Sequence, residues 1–221
     1  MPSLPFSGQL INLFAALLLL LAFSMLTQRR ILSLINLFAV QGFVLALSTA
    51  VVAYSTNQGH LYLSAAITFA LKVLLLPWFL HWLIRKLNVR WDVESVVNIP
   101  VQMLIGIALV IFAFNLAAPI SQIAGTITKS ALGIATASIL LSFLMMITRR
   151  KAVSQVIGFL AMENGLFFAA TSATYGMPMV VELGILFDVL MGALIFGVFF
   201  FHIRETFESL DIHHLEKLKE R

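Results

Sequence analysis

Apolar runs of about 20 residues recur at 8–26, 31–54, 61–84, 99–118, 126–147, 152–174 and 178–203, each long enough to cross a hydrocarbon core as a helix. A chain built this way has few folds open to it. In lipid every backbone N–H and C=O must be satisfied internally, so the spacing predicts an all-α, polytopic transmembrane bundle of about seven helices. The composition agrees, since 61% of the 221 residues are hydrophobic and only 11% are charged. The formal charge of +4 does not imply nucleic acid, because the basic residues fall in short clusters between the apolar runs.

Those clusters set an expected orientation. Arg29 and Arg30 follow the first span, Arg85, Lys86 and Arg90 the third, Arg149, Arg150 and Lys151 the fifth, and Arg204, Lys217, Lys219 and Arg221 the seventh. The connections on the other side carry no Lys or Arg, and only Lys129 lies near them. By the positive-inside rule the N-terminus is outside and the C-terminus cytoplasmic. Trp78, Trp82 and Trp91 near the inner end of the third span fit an interfacial belt. The first helix lacks a basic lead segment and reads as retained rather than cleaved.

The expected organisation is a three-helix unit at 1–86, a cytoplasmic loop and linker helix at 87–124, a second three-helix unit at 125–203 and a cytoplasmic tail at 204–221. A weak repeat suggests that the two units are parallel copies. Leu21, Phe23, Met25, Arg29 and Arg30 correspond at constant offset to Leu141, Phe143, Met145, Arg149 and Arg150, and Gln41-Gly42 resembles Asn164-Gly165 after a short gap. The mixed-charge tail reads as a surface helix or strap.

Ionisable residues inside the spans are the informative ones. A charge at mid-bilayer costs about 2.5–3.5 kcal/mol or more and must face protein or water. At about 1.5 Å per residue from the nearest inner arginine, Lys72 and Glu163 lie about 20 Å in, Asp188 about 24 Å and Glu182 about 33 Å. Lys72, Glu163 and Asp188 therefore share one plane, with Glu182 at the outer interface. Ser64, Thr68 and Lys72 recur every four residues and form a polar stripe on the third span. Pro77 lacks an N–H and is expected to free the carbonyl of Val73 beside the lysine. Gly184, Asp188 and Gly192 share a face, which turns Asp188 into the bundle, and Asn164 beside Glu163 points to a packed or hydrated interior. The expected role of Lys72, Glu163, Asp188 and Glu182 is ion translocation or electrostatic coupling, supported by Ser64, Thr68 and Asn164. One lysine with two carboxylates requires a shared proton if the three are close. The structural alternative is an ion pair that only fixes helix register.

The segments Lys72-Val-Leu-Leu-Leu-Pro77, Gln155-Val-Ile-Gly158, Met162-Glu-Asn-Gly165, Val181-Glu-Leu-Gly-Ile185 with Asp188, and Leu210-Asp-Ile resemble hydrogenase-4 component E. The last three spans are similar to the NuoK-like three-helix subunit of complex I and of multisubunit antiporters. That resemblance implies a non-catalytic membrane-arm subunit of a formate hydrogenlyase-like complex in the inner (plasma) membrane. Its partners would be antiporter-like and NuoH-like membrane subunits and a nickel-iron hydrogenase arm carrying the metal centres. The chain itself has no cysteine for iron-sulfur ligation. No cofactor, metal site, nucleic-acid partner or independent enzymatic activity is expected. Two other readings are a haem-bearing anchor using His81 and His202, and a stand-alone secondary transporter. The adjacent His213 and His214 diverge around a helix and suggest no metal.

Overall fold

In the computed structural model the described residues are 6–57, 59–87, 95–123 and 129–174, together with Gly184 and Gly192. The chain divides into compact units Met1–Ile185 and Leu186–Arg221; of the second only Gly192, a helical residue, is described. Six helices among the described residues are long and apolar enough to cross a membrane. The predicted span at 178–203, with the tail beyond it, lies almost wholly outside the described residues.

The helices are α1 (Phe6–Thr27), α2 (Ile31–Thr56), α3 (Gly59–Thr68), a π-helical segment (Phe69–Leu75), α4 (Leu76–Leu87), α5 (Ile99–Ile123), α6 (Lys129–Thr148) and α7 (Ala152–Thr174). α3, the π segment and α4 together make the third span. Their ends are tight. α2 stops at Asn57, which takes a left-handed conformation (φ 55°) and donates its N–H to the carbonyl of Ala53, a termination that asparagine tolerates better than most residues.

α1, α2, α7 and α6 form a closed ring of packed pairs, α1 on α2, α2 on α7, α7 on α6 and α6 on α1. The third span lies against α2, and α5 lies against α6 and the flank of α1. Water is absent from lipid on both sides of association, so packing and internal polar bonds hold such a ring rather than a hydrophobic driving force. Small residues permit it. A Cβ on Gly165 would sit 2.9 Å from Ile139 Cγ1 and 3.3 Å from its backbone nitrogen, so α7 approaches α6 more closely than any larger residue would allow. The centre of the ring is filled by Leu18, Leu45, Ala135 and Phe168 from its four helices.

Burial recurs along the two segments matched by the sequence correspondence. Ala15, Leu18, Ala22 and Met25 are buried on α1, and Ala135, Ser138, Ser142 and Met145 are buried at the same offset on α6. The likeness ends at the arginines, because Arg29 is exposed whereas Arg149 is buried. Arg149 Nη2 donates to the carbonyls of Met25 (3.2 Å) and Leu26 (2.7 Å). Those carbonyls lie in the last turn of α1, where that of Met25 also accepts from the Gln28 N–H (3.4 Å), so the cation meets the negative end of the helix dipole. Burial pulls the guanidinium below its ordinary value. The end of α6 is closed differently: Val96 donates its N–H to the carbonyl of Thr148 (2.8 Å), and Gln102 is hydrogen-bonded to Ser95.

Candidate functional site: a buried ion pair on a π-helical turn

The third span changes register at its middle. The N–H of Leu76 reaches the carbonyl of Leu71, five residues back, which is the π-helical pattern, and such turns frequently occur at functional sites. Proline explains the place. In this frame Pro77, which has no N–H, falls at the position that would donate to the carbonyl of Lys72. The sequence expectation put the disturbed carbonyl at Val73, one residue on, because it assumed α-helical spacing. Lys72 lies in the middle of the wide turn.

Lys72 is 1% exposed, Glu163 4%, and Asn164 and Gln41 0%. Lys72 Nζ donates to Asn164 Oδ1 at 2.9 Å and lies 3.4 Å from Glu163 Oε1. An ammonium has donors only, so the carbonyl oxygen of Asn164 faces it and the amide nitrogen faces away. That nitrogen donates to Gln41 Oε1 at 3.2 Å. The network therefore runs with one polarity from the third span through α7 to α2. The Phe167 ring lies 5.7 Å from Nζ and adds a cation–π contact on another side of the amine. Gly42 makes the approach possible: a Cβ there would fall 2.9 Å from Lys72 Cβ, so α2 and the π turn touch almost backbone to backbone.

Two fixed charges in a low-dielectric interior interact strongly. At 3.4 Å and an effective dielectric near 20, the attraction is about 5 kcal/mol, and it offsets much of the cost of removing both ions from water. The arrangement sets a basic and an acidic side chain at the middle of the third span and joins three helices through one polar network. Lys72, Glu163 and Asn164, picked out in the sequence, are thus in direct contact. Ser64 and Thr68 lie on the same buried face as Lys72, each 1% exposed. Asp188 and Glu182 lie outside the described residues. Gly184, on the same predicted span, is helical, and a Cβ there would lie 2.5 Å from Phe167 Cδ2.

Gln41 and Phe167 were not named as site residues from sequence. The signal for Gln41 existed, since the Gln41-Gly42 and Asn164-Gly165 correspondence names the two amides that bond to each other. His81, considered as a haem ligand, has Nδ1 2.8 Å from the carbonyl of Pro77 one turn back; His202 lies outside the described residues. Among the described residues no group of three or more His, Cys, Asp or Glu could hold a metal.

Long apolar helices around a buried Lys–Glu–Asn–Gln network define a polytopic helical membrane protein with a charged site at mid-span. The chain is 32% identical to the uncharacterized protein Rv0085 of Mycobacterium tuberculosis over 94% of its own length and 95% of that protein's, and it belongs to the same family. It is also 23% identical to hydrogenase-4 component E of Escherichia coli K12 and of Shigella flexneri, covering 96% of this chain and 98% of theirs. No family model and no solved structure matches it.

Proposed function

We propose that the chain is a membrane-arm subunit of a complex I-related, formate hydrogenlyase-like hydrogenase complex in the inner membrane. Its buried charges contribute to proton or sodium movement driven by redox chemistry in partner chains. The carrying observation is the Lys72–Glu163 pair, both members nearly inaccessible and joined through Asn164 to Gln41. A charged pair of this kind is costly in lipid, and helices could be packed without it. Similarity to hydrogenase-4 component E along nearly the whole of both chains supports the assembly.

In this reading the chain has seven spans, its N-terminus outside and its C-terminus cytoplasmic, with the two three-helix units as parallel copies. Asp188 and Glu182 on the last span extend the charged path toward the outer face. Antiporter-like and NuoH-like membrane subunits are the neighbours, and a hydrogenase arm holds the metal centres, so the chain performs no catalysis itself. Affinity purification of the tagged chain from native membranes tests the assignment. Hydrogenase and antiporter-like subunits should accompany it in fixed ratio; recovery as a lone monomer from mild detergent would contradict it.

A further inference from the structure

We infer that the Lys72 site is reached by water from one side only, through the half of the third span that begins at the α2–α3 connection, and is sealed by apolar side chains toward the other. The inference rests on the coupling role proposed for Lys72 and adds to it the direction of access.

The buried face of the third span carries Ser64, Thr68, Lys72, Leu76, Leu80 and Ile84, each between 1% and 2% exposed. The residues are equally hidden, but their chemistry changes at the lysine. Ser64 and Thr68 lie toward the α2–α3 end, at about 1.5 Å of rise per residue some 12 and 6 Å from Lys72. Several buried hydroxyls turn back onto their own helices: Thr49 bonds to the carbonyl of Leu45, Ser142 to that of Ser138, and Thr171 to that of Phe167, whereas those of Ser138, Ser154 and Ser172 have no partner among the described residues. Ser64 and Thr68 do not turn back either. Their buried oxygens have no hydrogen-bond partner among the described residues. A buried hydroxyl left unmade costs about 1–3 kcal/mol, and two in line beside an ammonium call for bridging water.

The facing helices repeat the asymmetry. α2 and α7 run the same way, as Gln41 with Asn164 and Leu45 with Phe168 require. On the Ser64 side α2 presents buried Ser48 and Thr49, ahead of an apolar cluster of Val52, Ala53 and Leu61, and α7 presents Ser172, whose hydroxyl has no partner among the described residues. Gln41 Nε2, at the level of the lysine, is likewise buried and unpartnered. On the opposite side α2 presents Leu34 and Phe38 at 0% exposure, and Ile157 and Leu160 separate Glu163 from Ser154 on the first turn of α7. Water could follow hydroxyls from the exposed His60 to Lys72, and beyond it would meet the apolar side chains of Leu34, Phe38, Leu76, Leu80, Ile157 and Leu160 before reaching Ser154.

The natural chain has no cysteine, so single thiols report cleanly. Ser64→Cys and Thr68→Cys, with Leu80→Cys on the sealed half and lipid-facing Leu63→Cys as references, would be placed in the assembled complex in sealed vesicles of each orientation. The vesicles would be treated with silver nitrate in chloride-free buffer; silver ion is close to water in size. Thiols left over are then counted with a maleimide after denaturation, which also verifies that each thiol is present. Because the thiolate is the reacting species and forms only where water reaches, Ser64→Cys and Thr68→Cys should react at least about tenfold faster than both references. They should do so from the face that carries the α2–α3 connection. Rates equal to that of Leu80→Cys, or faster reaction from the opposite face, would overturn one-sided access. Such a result would leave the coupling role intact if Lys72→Met still abolished coupling, so the two ideas fail separately.

Discussion

Replacing Lys72 with methionine keeps most of the length of the side chain and removes its charge, leaving the Glu163 carboxyl at 4% exposure without its cation. The attraction lost is about 5 kcal/mol at 3.4 Å and an effective dielectric of 20. Removing one member of a buried pair costs about 3–5 kcal/mol, because the survivor keeps its desolvation penalty. Lys72→Met should therefore lower unfolding stability by that amount in mixed micelles titrated with sodium dodecyl sulfate. The double variant Lys72→Met/Glu163→Gln should recover most of the loss, since an uncharged amide is far cheaper to bury and can still bond to neighbouring groups. The cycle isolates the pair rather than the packing of either side chain. If Lys72→Met costs less than about 1 kcal/mol, the value expected of an exposed pair, the placement of the amine in the bundle is wrong.

Four further outcomes follow from particular contacts. Gly42→Leu should destabilise by about 1–3 kcal/mol through overpacking against Lys72 Cβ, 2.9 Å from the added Cβ, whereas Gly59→Ala, with nothing within 4 Å, should leave melting nearly unchanged. Pro77→Ala restores a donor and should let the π turn relax toward α spacing, turning Lys72 away from Asn164, reducing ion coupling and lowering the melting temperature as the buried contact is lost. Arg149→Met should cost about 1–3 kcal/mol by leaving the carbonyls of Met25 and Leu26 without their charged donor, read as earlier unfolding in detergent, and Arg149→Lys should recover only part of it. Asn164→Leu should strip Lys72 of its shortest contact and Gln41 of its donor at once, lowering stability by about 2–4 kcal/mol in the same titration.

Much of this architecture is legible in the sequence, because lipid imposes one rule on every spanning segment and apolar length reports it directly. Lys72 and Glu163 stand out for the same reason: a charge retained in an apolar run requires a partner. The π turn is less accessible. Pro77 marks a disturbance, but whether the helix kinks or widens depends on what Gly42 lets approach from α2. Arg149 is hidden more deeply, since an arginine just past a helix end ordinarily reaches water, and only the packing of α1 on α6 brings the carbonyls of Met25 and Leu26 to it. Gln41 carries no charge to mark it, and its partner lies 123 residues away.

The central claim is that the buried pair serves ion movement rather than register alone, and inverted vesicles bearing the assembled complex test it most directly. Hydrogenase turnover would be started with the complex's own electron donor while a pH-sensitive dye, or a sodium-sensitive dye in parallel, follows the ion gradient. The account predicts that Lys72→Met and Glu163→Gln each leave assembly intact while the gradient collapses. A gradient of wild-type size in the double variant, with the complex fully assembled, would contradict it.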